Sequence, residues 1–363
     1  MDFNIVVTAG DGVGPEIINE SIKVLRAVGK KYKHTFNLNH RLVGGAAIDA
    51  EGKAVSQETL ALCRKADAVL LGAVGGPKWD DPLAKVRPED GLLEMRKALG
   101  LFANLRPVKL FPMLVDGTNL KPEVVKGVDF IFIRELTGGL YFGAPKTRWE
   151  EKGVRWGVDS MLYSDKEIER IVRVGFELAR RRQKKLISVD KANVLESSRL
   201  WRQVAVEVSK DYPDVALEHM LVDACSMRLI QNPRYLDVLV TENTFGDILT
   251  DEASMLAGSM GMLPSASLAG VPQTGVRIFG LYEPIHGSAP RHTGLNDINP
   301  IATILSAAMM LRYSFALDKE ADAVEKAVLK ALEDGYRTYD IMSAGNTKVG
   351  TKEMGDVIVE RVG

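Results

Sequence analysis

Five short apolar runs, broken by a polar residue only at Ser188, set the frame of this chain. They are Ile5-Val6-Val7, Val69-Leu70-Leu71, Phe130 to Ile133, Leu186 to Val189 and Val238-Leu239-Val240. Runs without polar alternation suit strands buried on both faces of a sheet that helices cover. Between them the apolar residues change to helical spacing. Ile18, Ile22 and Leu25 fall on one helix face behind Pro15, a residue at home in the first turn. Ile168, Ile171, Val172 and Ala179 form a second such face, and Val324, Ala327, Val328 and Ala331 a third. Strand and helix in alternation predict an α/β protein. A length of 363 residues predicts two domains or one large α/β domain. With no Pro/Gly/Ser linker long enough to be flexible, two domains would share a sheet or a tight hinge.

Charge and cysteine usage exclude several classes of function. The 47 Lys and Arg nearly balance the 48 Asp and Glu, for a formal net charge of -1. Nucleic acid is therefore not expected as a partner, since phosphate binding needs a concentrated basic surface. The one basic cluster, Arg180-Arg181-Arg182-Gln183-Lys184-Lys185, follows a predicted helix, where cations complement the negative end of the dipole. Cys63 and Cys225 are too few for a disulfide framework or a four-thiolate zinc site and read as buried free thiols of a reducing compartment. The start, Met1-Asp2-Phe3-Asn4, has neither the basic end nor the apolar core of a signal peptide. The most apolar stretch, Ile301 to Leu311, is too short to span a bilayer. A soluble cytoplasmic protein, with no membrane partner, is expected.

Several constellations could carry chemistry. Asp247 and Asp251, in Phe245-Gly246-Asp247-Ile248-Leu249-Thr250-Asp251, directly follow an apolar strand and lie four apart, on one face of a helix. Two like charges there cost a helix about 0.2–0.5 kcal/mol, and a divalent cation would reverse the sign of that interaction. On spacing alone, the preference of acidic residues for a first helical turn is the better explanation. Arg96, Arg106 and Arg134 are candidate forks for carboxylates, and Arg134 ends a strand, where open α/β sheets bind ligands. Each alone is also an ordinary surface ion-pair residue. Lys191, just past the strand Leu186 to Val189, could act as a base. Tyr141, behind Gly138-Gly139, could present its hydroxyl. Gly10-Asp11-Gly12-Val13-Gly14-Pro15 lacks the G-x-G-x-x-G spacing of a dinucleotide fingerprint. His286-Gly287-Ser288-Ala289-Pro290 is a second turn-rich loop whose backbone donors could meet a cofactor.

Taken together, these segments resemble the isocitrate/isopropylmalate dehydrogenase family of β-hydroxyacid oxidative decarboxylases. The matching motifs are Gly10–Glu16, Gly91–Lys97, Leu101–Pro107, Arg134–Gly143, Val189–Ser198, Phe245–Ser254, Gly258–Ser267 and Leu281–Pro290, in family order across nearly the whole chain. The resemblance implies a two-domain α/β fold with mixed sheets flanked by helices, not a true Rossmann fold. Residues 1–101 and 258–363 would form a first, cofactor-side domain, and residues 102–257 a second domain for dimerisation, metal and substrate. It implies oxidation of a 2-hydroxy acid by hydride transfer to a nicotinamide, then loss of the β-carboxylate as CO₂. Asp247 and Asp251 would hold Mg²⁺ or Mn²⁺, with Asp223 supplied to metal and substrate by a second subunit. Arg96, Arg106 and Arg134 would bind substrate carboxylates. Lys191, also the partner's, would assist hydroxyl deprotonation, and Tyr141 would protonate the enolate carbon. A homodimer with shared active sites follows.

For substrate choice the resemblance points to Glu89-Asp90-Gly91-Leu92-Leu93. Leu92 and Leu93 would form an apolar wall for the isopropyl group of 3-isopropylmalate, a burial worth roughly 1–3 kcal/mol. Glu89 would repel a third carboxylate. The cofactor would meet Gly76, Asn193 and Glu283, the loop residues His286, Gly287, Ser288 and Ala289, and Asn299. NAD is the family default for this substrate. Arg291 and His292 stand where NAD-dependent members usually carry an acidic residue, and with Tyr339 they resemble an NADP-using pattern. Alternatives are a sister enzyme acting on malate, tartrate or homoisocitrate, and a non-redox Mg²⁺-dependent hydrolase or binding protein using the same carboxylates.

Overall fold

The computed structural model describes residues 1–81, 84–118 and 120–363. The first strands are β1 (Asp2–Gly10), β2 (Thr35–His40), β3 (Ala68–Ala73), β4 (Ala103–Lys109) and β5 (Asp129–Glu135). A hairpin follows, β6 (Lys146–Glu151) and β7 (Val154–Asp159). The remaining long strands are β8 (Lys185–Asp190), β9 (Ala216–Leu221), β10 (Val238–Thr241), β11 (Pro264–Leu268) and β12 (Gly280–Pro284). Apart from the hairpin, these strands make a single ten-stranded sheet in the order β2-β1-β3-β12-β11-β4-β5-β10-β8-β9.

The sheet has two parallel wings and an antiparallel middle. Strands β2, β1, β3 and β12 pair in parallel, as do β5, β10, β8 and β9. Between them β12, β11, β4 and β5 pair antiparallel. One wing is built from both ends of the chain and the other from its middle, so the sheet is shared, as the lack of a linker predicts. The antiparallel centre also separates this sheet from an all-parallel dinucleotide-binding one.

The five apolar runs are the buried parts of β1, β3, β5, β8 and β10. Helices α1 (Gly14–Tyr32), α2 (Gly45–Glu51), α3 (Gln57–Cys63) and α4 (Pro88–Ala98) follow the early strands, and α5 (Pro122–Val125) is a single turn. Next come α6 (Asp165–Arg180), α7 (Glu196–Ser209), α8 (Val222–Gln231) and α9 (Asn243–Ser254). The last are α10 (Ile301–Tyr313), α11 (Asp318–Glu333) and α12 (Thr351–Val362). Pro15 sits in the first turn of α1, and Ser164 and Glu167 form a capping box on α6. The apolar stretch Ile301 to Leu311 is buried on all sides as α10, as expected of a helix without a polar face. Among the described residues no helix is long and apolar enough to cross a membrane. One continuous hydrophobic core extends through both wings, from Phe3 and Val24 to Phe176 and Leu239.

Three members of the basic cluster after α6 form ion pairs. Arg180 meets Asp214, Arg182 meets Asp237 and Asp129, and Lys185 meets Glu218. Both cysteines are free and buried. Burial pushes the Cys63 thiol up to about 11 and the Cys225 thiol up to about 12. Sequence patterning gives no hint of the hairpin β6–β7. Every residue of β6 is exposed, and Trp149 and Trp156 stack on one another across the pair, 6.1 Å between centroids.

Candidate active site

Five secondary-structure elements and a tight turn converge on a cavity of about 430 Å³. Helix α4 starts at Pro88, and Glu89, Leu92, Leu93 and Arg96 follow at i, i+3, i+4 and i+7, so one helix face lines the cavity. Strand β4 delivers Arg106, β5 delivers Arg134 at its end, and β12 delivers Glu283. Helix α9 begins two residues after β10 and brings Asp247 to the same place. A tight turn at Gly139–Tyr141 brings the phenol of Tyr141.

The arginines are buried and held by neighbours, yet not saturated. Arg134 Nη1 donates to Asp247 Oδ1 at 2.5 Å. Its Nε and Nη2 donate to Asn243 Oδ1 at 3.0 and 2.8 Å. Arg106 Nε donates to Asn104 Oδ1 at 2.8 Å and its Nη1 to Thr250 Oγ1 at 2.5 Å. Asp251 and Asp247 lie 3.5 and 3.8 Å from Arg106. Arg96 Nη2 donates to Glu283 Oε1 at 3.0 Å, while its Nε is buried with no partner. A buried N–H without an acceptor is costly unless an acceptor arrives. These guanidinium groups thus offer donors to an anionic ligand.

Burial pushes the Asp247 carboxyl up, but Arg134, the Tyr141 hydroxyl, Arg106 and Arg96 outweigh it and hold the group below the ordinary Asp range. Asp247 is thus a carboxylate at neutral pH. Burial lifts Asp251 above its ordinary range, and the Asp247 charge adds to the rise against the pull of Arg106. Two carboxyls on successive turns, one held ionised and the other raised by its neighbour, are what a hard dication would relieve. Tyr141 Oη donates to Asp247 Oδ2 at 2.8 Å. Burial first, and then that bond and charge, push the phenol up to about 12, so it keeps its proton. Burial and the neighbouring Arg106 lower Arg134 to about 10, which leaves it charged.

Lys191 and Asp223 are not part of this cavity in their own chain. Lys191, past the end of β8, donates to Asp223 Oδ1 at 2.7 Å, which holds that carboxyl below its usual range. Among the described residues no group of three or more acidic, His or Cys side chains gathers that could hold a metal within one chain. Asn193 is exposed beside Lys191 and does not line the cavity.

Of the residues expected at the cofactor, Glu283, His286 and Gly287 line the cavity. Burial lowers the His286 imidazole, whose Nδ1 lies 2.9 Å from the Gly287 carbonyl and whose Nε2 has no partner. The Ser288 carbonyl accepts the Val13 N–H at 2.9 Å and would collide with a Cβ on Gly12, so the two Gly-containing loops dock on each other. Ala289 takes a left-handed conformation at φ 39°. Asn299 Nδ2 donates to Asp340 Oδ2 at 3.1 Å. His292 stacks on Tyr339 at 5.1 Å, and Arg291 beside it is exposed. Gly76 lies off the cavity, next to the Trp79 ring.

Sequence reasoning missed three contributors. Lys146, at the root of β6, lines the cavity; nothing around it in sequence marks it. Asn104 is buried on β4 and donates to Ser265 Oγ at 2.8 Å while holding Arg106. Asn243, at the start of α9, looks in sequence like an ordinary helix-start residue.

A larger cavity, about 760 Å³, lies on the other face of the sheet. Successive residues of a strand point to opposite faces: Arg106 lines the smaller cavity, Pro107 and Lys109 the larger one. Phe111, Met113, Leu305 and Met309 give it an apolar floor, and its arginines, Arg182 and Arg312, are paired with the acids Asp129, Asp322 and Glu325.

Comparison with known proteins agrees with the geometry. The profile of the isocitrate/isopropylmalate dehydrogenase family matches residues 4–358. The chain is 65% identical to the 3-isopropylmalate dehydrogenase of Dehalococcoides mccartyi (strain CBDB1), over all of both chains. It is 56% identical to that of Carboxydothermus hydrogenoformans, over 99% of this chain and 95% of the relative. Among solved structures, isocitrate dehydrogenase from Methylococcus capsulatus superposes with a TM-score of 0.85 at 33% identity, covering 99% of each chain.

Proposed function

The chain belongs to the isocitrate/isopropylmalate dehydrogenase family, and from that premise we infer that it catalyses the oxidative decarboxylation of 3-isopropylmalate. The product is 4-methyl-2-oxopentanoate, with CO₂ and a reduced nicotinamide, a reaction of leucine biosynthesis. The observation that carries the substrate is the face of α4. It sets Leu92 and Leu93, an apolar wall, beside Arg96 and across from Arg106 and Arg134. A carboxylate pair and a branched alkyl group on one small molecule match that combination. Glu89 lines the same cavity and would repel a third carboxylate. Malate and tartrate leave the apolar wall unused, and homoisocitrate brings the third carboxylate.

Charge bookkeeping favours a metal with the substrate. Arg96, Arg106 and Arg134 are balanced by Glu283, Asp247 and Asp251. A dicarboxylate entering this neutral, partly dry site is best accompanied by a divalent cation. Asp247 and Asp251 would hold Mg²⁺ or Mn²⁺. When bound, the ion supplies a Lewis acid that stabilises negative charge on the substrate oxygen. The arginines fix the carboxylates and so the orientation of the hydroxyl-bearing carbon. Tyr141 holds a proton at its Oη, ready for the carbon left after CO₂ departs.

The third carboxylate, Asp223, and the base, Lys191, come in this reading from a second copy of the chain. Met227 and Ile230 on α8, Ile248 on the adjacent α9, and Met255 just past its end are exposed apolar side chains. With the outstretched hairpin and its Trp pair, they support an isologous dimer. The domain division 1–101 with 258–363 and 102–257 belongs to the same proposal, as does a cytoplasmic location, which the two reduced thiols suit.

NAD is the expected acceptor. NADP is a second reading, favoured by the exposed Arg291 beside the His292–Tyr339 stack, where a 2′-phosphate would meet a cation. A spectrophotometric assay with 3-isopropylmalate and isocitrate, both nicotinamides and a chelator control tests the whole reading. Comparable kcat/KM on isocitrate would overturn the role given to Leu92 and Glu89, and metal-independent turnover that of the aspartates.

A further inference from the structure

The network behind the cavity turns on Asn243, a side chain only 1% exposed that touches the cavity through others. Its two amide ends have different tasks. Oδ1 accepts both Nε and Nη2 of Arg134, at 3.0 and 2.8 Å. The backbone carbonyl of the same residue shares the Nε–H at 2.9 Å, so the Nη2 contact belongs to the side chain alone. Nδ2 donates to the Gly138 carbonyl at 3.1 Å. Reversing the amide would set NH₂ against a guanidinium and oxygen against a carbonyl, so its orientation is fixed by its partners.

The first contact decides what Arg134 has left to give. A guanidinium carries five N–H groups. Asn243 takes Nε–H and one on Nη2, and Asp247 takes one on Nη1. One remains on each terminal nitrogen, a matched pair for a carboxylate. The second contact fixes the turn behind Tyr141. Gly138 opens that turn, and its N–H is held by Glu135 Oε2 at 2.8 Å while its carbonyl is held by Asn243. Asn243 is itself pinned, its backbone N–H donating to Tyr163 Oη at 3.0 Å; that hydroxyl donates to Glu242, which caps α9.

We propose that Asn243 is a positioning residue that aims the Arg134 fork at a substrate carboxylate and, through Gly138, sets the height of the Tyr141 phenol, so that one amide aligns substrate grip with proton delivery. This rests on the reaction inferred above. Displacements near 1 Å in such alignments cost about 10²-fold in rate. In assays with 3-isopropylmalate, Asn243→Ala should raise KM and lower kcat, each about tenfold or more. Asn243→Asp keeps size and the grip on Arg134 but sets an oxygen against the Gly138 carbonyl. It should fold with an unchanged dichroism spectrum and lower kcat by about tenfold. If Asn243 acts through Tyr141, Asn243→Asp should cost less than about threefold in kcat when made in Tyr141→Phe. A purely scaffolding residue would lower Tm and leave kcat and KM of the folded enzyme within about twofold in both single variants, and that result overturns the proposal. Full additivity with Tyr141→Phe overturns the route through the turn. Failure of the wild-type enzyme, assayed alongside, to oxidise 3-isopropylmalate would instead remove the reaction on which the role depends.

Discussion

The two cavities on either side of β4 share a wall and differ in almost everything else. In the larger one the arginines are answered by acids: Arg182 by Asp129 and Asp237, Arg312 by Asp318, Asp322 and Glu325. In the smaller one Arg96 and Arg134 keep donors unspent, and two carboxylates crowd together. Size therefore does not mark the reactive site; unmet hydrogen-bonding capacity does. Settled charge and apolar floor are features of packing, whereas unsettled charge is a standing demand for a ligand.

Perturbing the two faces should sharpen that contrast. The largest effect is expected from metal removal: dialysis against chelator should drop turnover to background, and Mg²⁺ or Mn²⁺ should restore it. Retained activity without metal would erase the distinction between the cavities. Asp247→Asn removes the charge of the proposed metal ligand that also partners Arg134 and Tyr141, and should lower kcat/KM by about 10³-fold or more. Leu92→Ala should be milder, raising KM for 3-isopropylmalate about tenfold, as for a lost apolar contact of about 1–2 kcal/mol. Met309→Ala, on the other face, should leave kcat/KM within about twofold while costing about 2–5 kcal/mol of stability by chemical denaturation. A large kinetic effect there would show that the larger cavity also serves the reaction.

The same contrast explains what could be read from the chain. The inner strands of the parallel wings, β1, β3, β5, β8 and β10, announce themselves through runs of Val, Ile, Leu and Phe, whereas the edge strands β2 and β9 are mixed with polar residues. The antiparallel middle is also mixed. Strand β11, Pro264–Leu268, is buried end to end but carries two serines, and Ser265 and Ser267 satisfy Asn104 across the ladder. A buried polar seam has no hydrophobic signature. Each arginine was visible, but their meeting was not, because Arg106 and Arg134 come from neighbouring strands and Arg96 from a helix. The face of α4 was there to be found, since 89, 92, 93 and 96 follow helical spacing. Asn243 was not, since a lone Asn at a helix start has an everyday explanation. Nor does the single chain bring Lys191 and Asp223 to the cavity; they satisfy each other instead.

The unbroken ladder through β12, β11, β4 and β5 has a thermal consequence. No seam free of hydrogen bonds separates the wings, and the apolar interior passes through with the strands. Neither half has an edge along which it could melt by itself. A scanning calorimeter should record a single endotherm.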